Sequence, residues 1–368
     1  MKECGSRTNR LRRRMCQHPC ERVKEASRLT TFEAANPNAL NEQLQRYASL
    51  DDATAATVEL WLRHAGRLSH SLETMDARMH REFHETLHLL LSVHQALPYT
   101  WAARQSASHV ALRLRQQLFS ALLEHEQRKL LALDIPPIPT RPDALIEFLI
   151  ALNQQHVASK HPVFEYLQEA GTLRDVKTFF YQEGSVDARF DDLIALAQIG
   201  TDGCIKDEYA HNFADEMGHG DPERVHTTMF MRTAAYIQSY QGEDPQVQKE
   251  PITEALACSN LQVGMALHRE HVFRMAGYLA AFELNATDRC KRLVEACVRH
   301  GMDANQLDYL TEHIDADVGH AEGLFQEIVV PMAASHERAP MEIVQGFLLR
   351  LQTSNDYCDT LLNQFLQA

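Results

Sequence analysis

The chain of 368 residues lacks three features that would place it in familiar classes of protein. No uncharged apolar run approaches the ~20 residues that a membrane-spanning helix needs, so we expect no membrane partner. The eight cysteines form no CxxC pair and no dense framework, which predicts reduced thiols in a cytoplasmic protein. Basic residues are in deficit, and the formal charge of −14 argues against a nucleic-acid partner. Small molecules remain as the expected partners.

Strand patterns and internal repeats are also missing. Apolar runs joined by hairpin turns such as NG or DG are absent, whereas nearly every periodic segment repeats at helical spacing. The absence of a repeat of roughly 20–50 residues argues against a solenoid. The sequence therefore predicts an all-α protein.

Composition divides the chain into four predicted parts. Residues 1–30 are Arg-rich without the apolar core of a signal peptide, and we interpret them as a disordered basic tail. Residues 31–134 contain four amphipathic stretches and form a predicted N-terminal helical region. Four prolines within 135–142 cannot continue a helix, so this segment is the predicted connector. The remaining residues, 143–368, contain about seven helical segments, enough for a bundle with an enclosed core.

Two histidines and an aspartate lie close together near the C-terminus, in LDYLTEHIDADVGHAEGLFQ at 307–326. On a helix each residue advances about 100°, so His313, Asp317 and His320 project within a narrow arc. These side chains suit Fe(II), Mn(II) or Zn(II). The alternative interpretation of this spacing is the polar, solvent-facing side of a surface helix.

Two carboxylates and another histidine lie upstream, at positions that could face the same cavity. Glu216 precedes a Gly-His-Gly break, and Asp221 is the predicted N-cap of a new helix that carries His226 in its second turn. Glu283 follows an apolar helical surface, where a carboxylate needs a partner. The alternatives are solvent-exposed glutamates and a hydrogen-bonded core histidine.

In this order and at these spacings, the residues resemble the haem-oxygenase-like non-haem diiron oxidases and oxygenases, often called iron-containing redox enzymes. The resemblance covers roughly residues 160–330. It implies a haem-oxygenase-like bundle that holds two iron ions, with O2 as co-substrate and no catalytic residue beyond the metal ligands. The implied ligands are Glu183, Glu216, His226, Glu283, His313, Asp317 and His320. Glu183 is placed there as an additional carboxylate on the first core helix, and Glu208 is its competitor.

The same resemblance implies an iron-dependent oxidoreductase that uses O2. We expect a small amino-acid-derived or amine substrate, oxidised by N-oxygenation or by C–C cleavage in natural-product biosynthesis. The expected partners are this substrate, an external electron donor and a second copy of the chain in a homodimer. Two other functions stay open: oxidative decarboxylation of a fatty acid on the same scaffold, and a non-catalytic helical interaction protein.

Two other histidine patterns receive less weight. Glu208 and His211 have the ExxH spacing of ferritin-like bundles, which need two such motifs together with two further glutamates. His80, His84 and His88 follow one another at helical spacing, and we interpret them as an exposed stripe beside an apolar one. Neither pattern predicts a second metal site.

Overall fold

The computed structural model describes residues 39–186 and 189–367, and within 315–318 it describes the backbone but not the side chains. The predicted basic tail at 1–30 lies outside these residues. Every regular element in the described part of the chain is helical, so the all-α prediction is confirmed. Among the described helices, none combines the length and the apolar character needed to cross a membrane.

The α-helices of the described residues are numbered here in chain order. They are α1 (Leu40–Gln45), α2 (Ala55–His70), α3 (Ala77–Leu91), α4 (Trp101–Arg104), α5 (His109–Leu130), α6 (Ala144–Gln155), α7 (Pro162–Glu169), α8 (Leu173–Val186), α9 (Phe190–Ala197), α10 (Gly203–Glu216), α11 (His226–Ser239), α12 (Thr253–Leu267), α13 (Val272–Arg299), α14 (Asp308–Gly323), α15 (Val330–Ser335) and α16 (Ala339–Gln367). A π-helical turn, Leu324–Val329, connects α14 to α15. Turns of this kind are frequent near functional sites.

Polar side chains explain why several helices begin where they do. Thr54, Asp76 and Ser108 precede α2, α3 and α5, and each side chain accepts a hydrogen bond from a backbone N–H of the first turn. Such a cap satisfies an N–H group that has no partner within the helix and contributes about 1 kcal/mol. The apolar faces then determine how the helices pack.

Helices on both sides of the proline-rich segment share one hydrophobic core. Leu118 of α5, Leu279 of α13 and Phe347 of α16 belong to it, and all three are fully buried. Residues Asn38–Ala368 accordingly form one compact unit. The segment 135–142 therefore separates helices in sequence without dividing their core, and its role as a border between independently folding parts stays a prediction.

The two longest described helices, α13 and α16, touch through glycines. A methyl group on Gly277 of α13 would collide with the backbone carbonyl of Ile343, and one on Gly346 of α16 would collide with that of Arg274. The missing side chains let the two backbones approach closely. This contact positions α13, the helix that carries Glu283.

The turn between α10 and α11 differs from the prediction. The Oδ1 atom of Asp221 accepts a hydrogen bond from the N–H of Glu223 at 3.0 Å within a turn, and α11 begins only at His226. Gly218 has a φ of +59°, and its missing side chain lets the chain fold back against Arg224. The predicted N-cap at Asp221 is therefore wrong, and His226 lies in the first turn of its helix.

The predicted exposed stripe on α3 is wrong for its central histidine. His84 is 1% exposed, and its Nε2 atom lies 3.2 Å from Nε2 of His80. Asn260 of α12 donates a hydrogen bond to the backbone carbonyl of His84 at 2.9 Å. Burial holds the pKa of His84 well below its ordinary value, so the ring is neutral. Helix α12 covers a face that the sequence alone leaves to solvent.

Candidate metal centre

Three buried side chains from three helices bring potential metal ligands together. Glu216 is the last residue of α10, His226 is the first of α11, and His313 lies in the second turn of α14. One ligand atom from each lies within 4.8 Å of the other two. The exposed fractions of the three residues are 4%, 5% and 9%. Buried polar groups at this spacing are able to hold one small metal ion.

Hydrogen bonds prepare His313 to act as a ligand. Its Nδ1–H donates to the backbone carbonyl of Tyr309 at 2.7 Å, which leaves Nε2 as the nitrogen with a lone pair. Burial, together with the nearby His226, lowers the pKa of His313 to about 4. The ring is therefore neutral at physiological pH, and metals bind the neutral form of imidazole.

Glu216 also contacts His226, the second histidine of the group. The Oε2 atom of Glu216 lies 3.0 Å from Nδ1 of His226. The ring centroids of His226 and His313 are 4.7 Å apart. The group therefore offers one carboxylate and two imidazoles, a mixture of oxygen and nitrogen donors that suits iron.

Glu283 and His320 form a second part of the site. Glu283 is 3% exposed on α13, and its Oε2 atom lies 3.8 Å from Nδ1 of His320 on α14. The other ring nitrogen of His320, Nε2, lies 2.9 Å from Oδ2 of Asp215. A carboxylate on the outer nitrogen of a ligating histidine orients the ring and raises its basicity. Sequence reasoning missed Asp215, whose one signal is its place next to Glu216.

One cavity connects most of these residues, and we call it the metal cavity. It measures about 320 Å³ with the space at its mouth. Its lining consists of Glu216, His226, Glu283, His313, Phe190, Thr227, Phe230, Phe282 and Tyr309. The structure thus gathers four of the seven predicted ligands around one space with aromatic walls.

The position of the predicted ligand Asp317 is known only at the level of the backbone. Its side chain lies outside the described residues, whereas its backbone continues α14 between His313 and His320. An α-helix places positions 313 and 317 one turn apart on the same face. The role of Asp317 stays a prediction.

The two candidates for an additional carboxylate lie elsewhere. Glu183 of α8 accepts a hydrogen bond from the hydroxyl of Tyr357 at 2.9 Å and forms an ion pair with Arg289. Glu208 of α10 accepts a hydrogen bond from the side-chain amide of Asn212 at 2.8 Å. Among the described residues, neither glutamate lines the metal cavity. Glu183 stays the ligand that the resemblance predicts, and the iron titration of variants compares it with Asp191.

Asp191 is a further carboxylate that sequence reasoning missed, and the charge of Glu216 acts on it. Asp191 is the second residue of α9, directly after Phe190 of the metal cavity, and its Oδ1 atom is buried without a hydrogen-bond partner in the described part of the chain. Burial, the charge of Asp192 and the charge of Glu216 raise the pKa of Asp191 to about 6. Acidic residues are common at helix N-termini, because the helix dipole stabilises negative charge there. The sequence therefore gave no signal that distinguished Asp191 from other such acids.

Replacement of Asp191 by asparagine is expected to weaken iron binding by about tenfold, because a carboxylate near the ligand group would be lost. The matched variant Glu183→Gln is expected to keep the wild-type affinity, since that carboxylate contacts Tyr357 and Arg289 and does not line the metal cavity. Anaerobic titration with Fe(II) measures both. Weaker Fe(II) binding in Glu183→Gln, with normal binding in Asp191→Asn, would show that Glu183 is the additional ligand and Asp191 is not.

The fold and the ligand group together define the class of protein. A family model described as iron-containing redox enzyme matches residues 177–355, which include every predicted ligand from Glu183 to His320. The match covers just under half of the chain, and it confirms the resemblance and the haem-oxygenase-like bundle. The match thus assigns residues 177–355 to a class of iron-containing redox enzymes.

One curated relative matches part of this chain. A nitrosourea synthase from Streptomyces achromogenes subsp. streptozoticus is 26% identical to this chain over 149 residues. The match covers 40% of this chain and 31% of the relative. The chain is thus similar to about a third of that protein.

Proposed function

We propose that this protein is a non-haem diiron enzyme that uses O2 to oxidise a small amino-acid-derived or amine substrate. The observation that carries the proposal is the buried group of Glu216, His226 and His313, whose ligand atoms lie within 4.8 Å of one another. Glu283 lines the same cavity. Of the two expected reactions, N-oxygenation is favoured, because the relative is named for a nitrosourea, a product that carries an oxidised nitrogen.

The candidate ligands form two groups, one for each of two iron ions. Glu216, His226 and His313 would hold one ion, since they already converge. Glu283 and His320, which lie 3.8 Å apart, would hold the other together with the predicted Asp317 and with Asp191. Iron, when bound, supplies the electrons and the open coordination positions that O2 activation requires.

The protein's own residues orient these ligands and keep water away. The backbone carbonyl of Tyr309 holds the Nδ1 proton of His313, and Asp215 holds the outer nitrogen of His320. Phe190, Phe230 and Phe282 form apolar walls of the cavity. A dry cavity strengthens electrostatic interactions and protects a reactive oxidant from side reactions. An arrangement of this kind differs from the surface helix of an interaction protein, whose polar face would be exposed.

The proposal includes partners and context. Insertion of one oxygen atom from O2 into a nitrogen centre needs two further electrons, so an external electron donor is part of the proposal. We also propose that the protein forms a homodimer in the cytoplasm and acts in natural-product biosynthesis.

A single-turnover O2 measurement tests the proposed function. The chain is loaded with Fe(II) without oxygen, freed of unbound iron and mixed with O2. We expect rapid consumption of roughly one O2 per two Fe(II) ions. The Glu216→Gln variant should consume much less, because it lacks the carboxylate that joins the histidine pair. Consumption no faster than that of free Fe(II) at the same concentration would contradict the proposal.

A further inference from the structure

A second pocket lies between α8, α13 and α16, and we call it the arginine pocket. Including the space at its mouth it measures about 680 Å³, twice the size of the metal cavity on the same measure. Its described lining includes four cationic and two anionic side chains: Lys160, Arg289, Arg292, Arg350, Glu183 and Asp288. In a chain with a formal charge of −14, a cationic pocket is a local exception.

The inner end of the arginine pocket is built from buried charged groups. Arg350 is 5% exposed, and its guanidinium lies over the ring of Phe282 at 4.4 Å from the centroid. Glu183 is 3% exposed and contacts Arg289 and the hydroxyl of Tyr357. Buried charges cost free energy unless opposite charges and hydrogen bonds surround them. Two guanidinium groups and one carboxylate thus line the same pocket.

Neutral groups complete this inner end. Burial raises the pKa of the Cys358 thiol to about 12, so the thiol adds no negative charge. Burial likewise raises the pKa of Tyr278, whose ring lies 5.6 Å from the Arg350 guanidinium. The charged groups that a ligand would meet there are Arg289, Arg350 and Glu183.

Phe282 is the wall between the two spaces. Its ring lines both the arginine pocket and the metal cavity, and the next residue, Glu283, lines the metal cavity. The ring also stacks on Phe190, with centroids 4.3 Å apart. Phe282 therefore lies between a molecule held beside Arg350 and the metal cavity.

We propose that the arginine pocket binds the α-amino-acid end of the substrate. The carboxylate lies between Arg350 and Arg289, and the ammonium group lies against Glu183. Guanidinium groups match carboxylates in charge and in planar geometry, and a buried carboxylate matches an ammonium group. This inference rests on the proposed function, because it takes the bound molecule to be the substrate of the metal cavity.

The placement determines which part of the substrate reacts. With the carboxylate held at Arg350, the side chain of the amino acid extends past Phe282 toward Glu216 and His313. Oxidation then occurs at a side-chain atom, and the carboxylate is retained. This outcome agrees with oxidation of a side-chain nitrogen and opposes oxidative decarboxylation, which requires the carboxylate end near the metal.

Calorimetric titration of the iron-free full chain with three matched probes tests the inference. L-Norleucine carries both head groups, hexanoate lacks the ammonium group, and pentylamine lacks the carboxylate. We expect L-norleucine to bind roughly tenfold or more tightly than either of the other two, because each charged hydrogen bond contributes to affinity. Equal affinities, tighter binding of hexanoate or pentylamine, or no binding of L-norleucine would overturn the inference.

Variants locate the site of binding. Arg350→Gln is expected to remove the advantage of L-norleucine over pentylamine, and Glu183→Gln the advantage over hexanoate. Arg289→Gln provides a second test of the carboxylate contact if the more deeply buried Arg350→Gln does not fold. Arg63→Gln changes an exposed arginine that pairs with Glu59 and should bind all probes as the wild type does. An equal loss in Arg63→Gln would overturn the inference.

Iron uptake separates failure of this inference from failure of the proposed function. Probe binding is measured without iron, and Fe(II) uptake is measured without probes. If the arginine pocket does not select L-norleucine, the wild-type chain still takes up iron when the proposed function is correct. If the proposed function is wrong, iron uptake or the O2 consumption of the loaded chain fails whichever probe binds.

Discussion

The His313→Ala variant is expected to bind Fe(II) about 100-fold more weakly than the wild type or to lose it altogether. His313 supplies one of the three ligand atoms that lie within 4.8 Å of one another. Its ring is held by the Tyr309 carbonyl, and its pKa of about 4 keeps it neutral and ready to bind. Alanine offers no donor atom, so Glu216 and His226 would remain as an incomplete group. Anaerobic titration of the iron-free chain with Fe(II) measures the loss.

A matched histidine controls this experiment. His211 lies on α10, and its side chain is 70% exposed at 3.9 Å from Glu208. The His211→Ala variant is expected to bind iron as the wild type does, because the side chain is largely exposed and does not belong to the buried group. If His211→Ala loses iron and His313→Ala retains it, the ferritin-like interpretation of the ExxH motif would replace the present one.

The Gly346→Ala variant is expected to lower the free energy of unfolding by about 2–4 kcal/mol. A β-carbon at this position would collide with the backbone carbonyl of Arg274, and a backbone moves away only with its helix. Helices α13 and α16 would then separate, and the shift would reach Glu283 in the metal cavity and Arg350 in the arginine pocket. Urea unfolding of the iron-free chain measures the change.

Gly319→Ala is the control for this glycine. Gly319 also lies within a helix, but apart from its chain neighbours and its own helix backbone no atom of the described residues lies within 4 Å of the position that its β-carbon would take. Alanine in an exposed helix interior is expected to stabilise the fold by about 0.5–1 kcal/mol. Equal effects of the two substitutions would show that the close contact between α13 and α16 does not matter for stability.

Much of the fold could be predicted from the sequence, because helical periodicity is a local signal. The spacing of His313 and His320 places them on one face of a helix wherever that helix lies, and both are buried in the structure. The end of α10 at Glu216 was also predictable, since a Gly-His-Gly break follows it. Fold and family could be inferred because these local signals recur in a fixed order.

Other features depend on contacts between distant segments, and no local pattern reports them. Glu183 meets Arg289, which is 106 positions away in sequence. Helix α12 covers His84, although the sequence pattern of α3 predicts an exposed position for this histidine. Asp191 is an ordinary acid at a helix start until the fold buries it near Glu216. The choice among several acids for an additional ligand therefore required the tertiary structure.

Iron stoichiometry of the wild-type chain is the most direct test of the diiron proposal. The iron-free protein is titrated with Fe(II) without oxygen, unbound iron is removed, and the metal is quantified per chain. We expect about two iron ions per chain in the wild type and a clear loss in His313→Ala. Less than one iron per chain, with the same value in both proteins, would contradict the proposal.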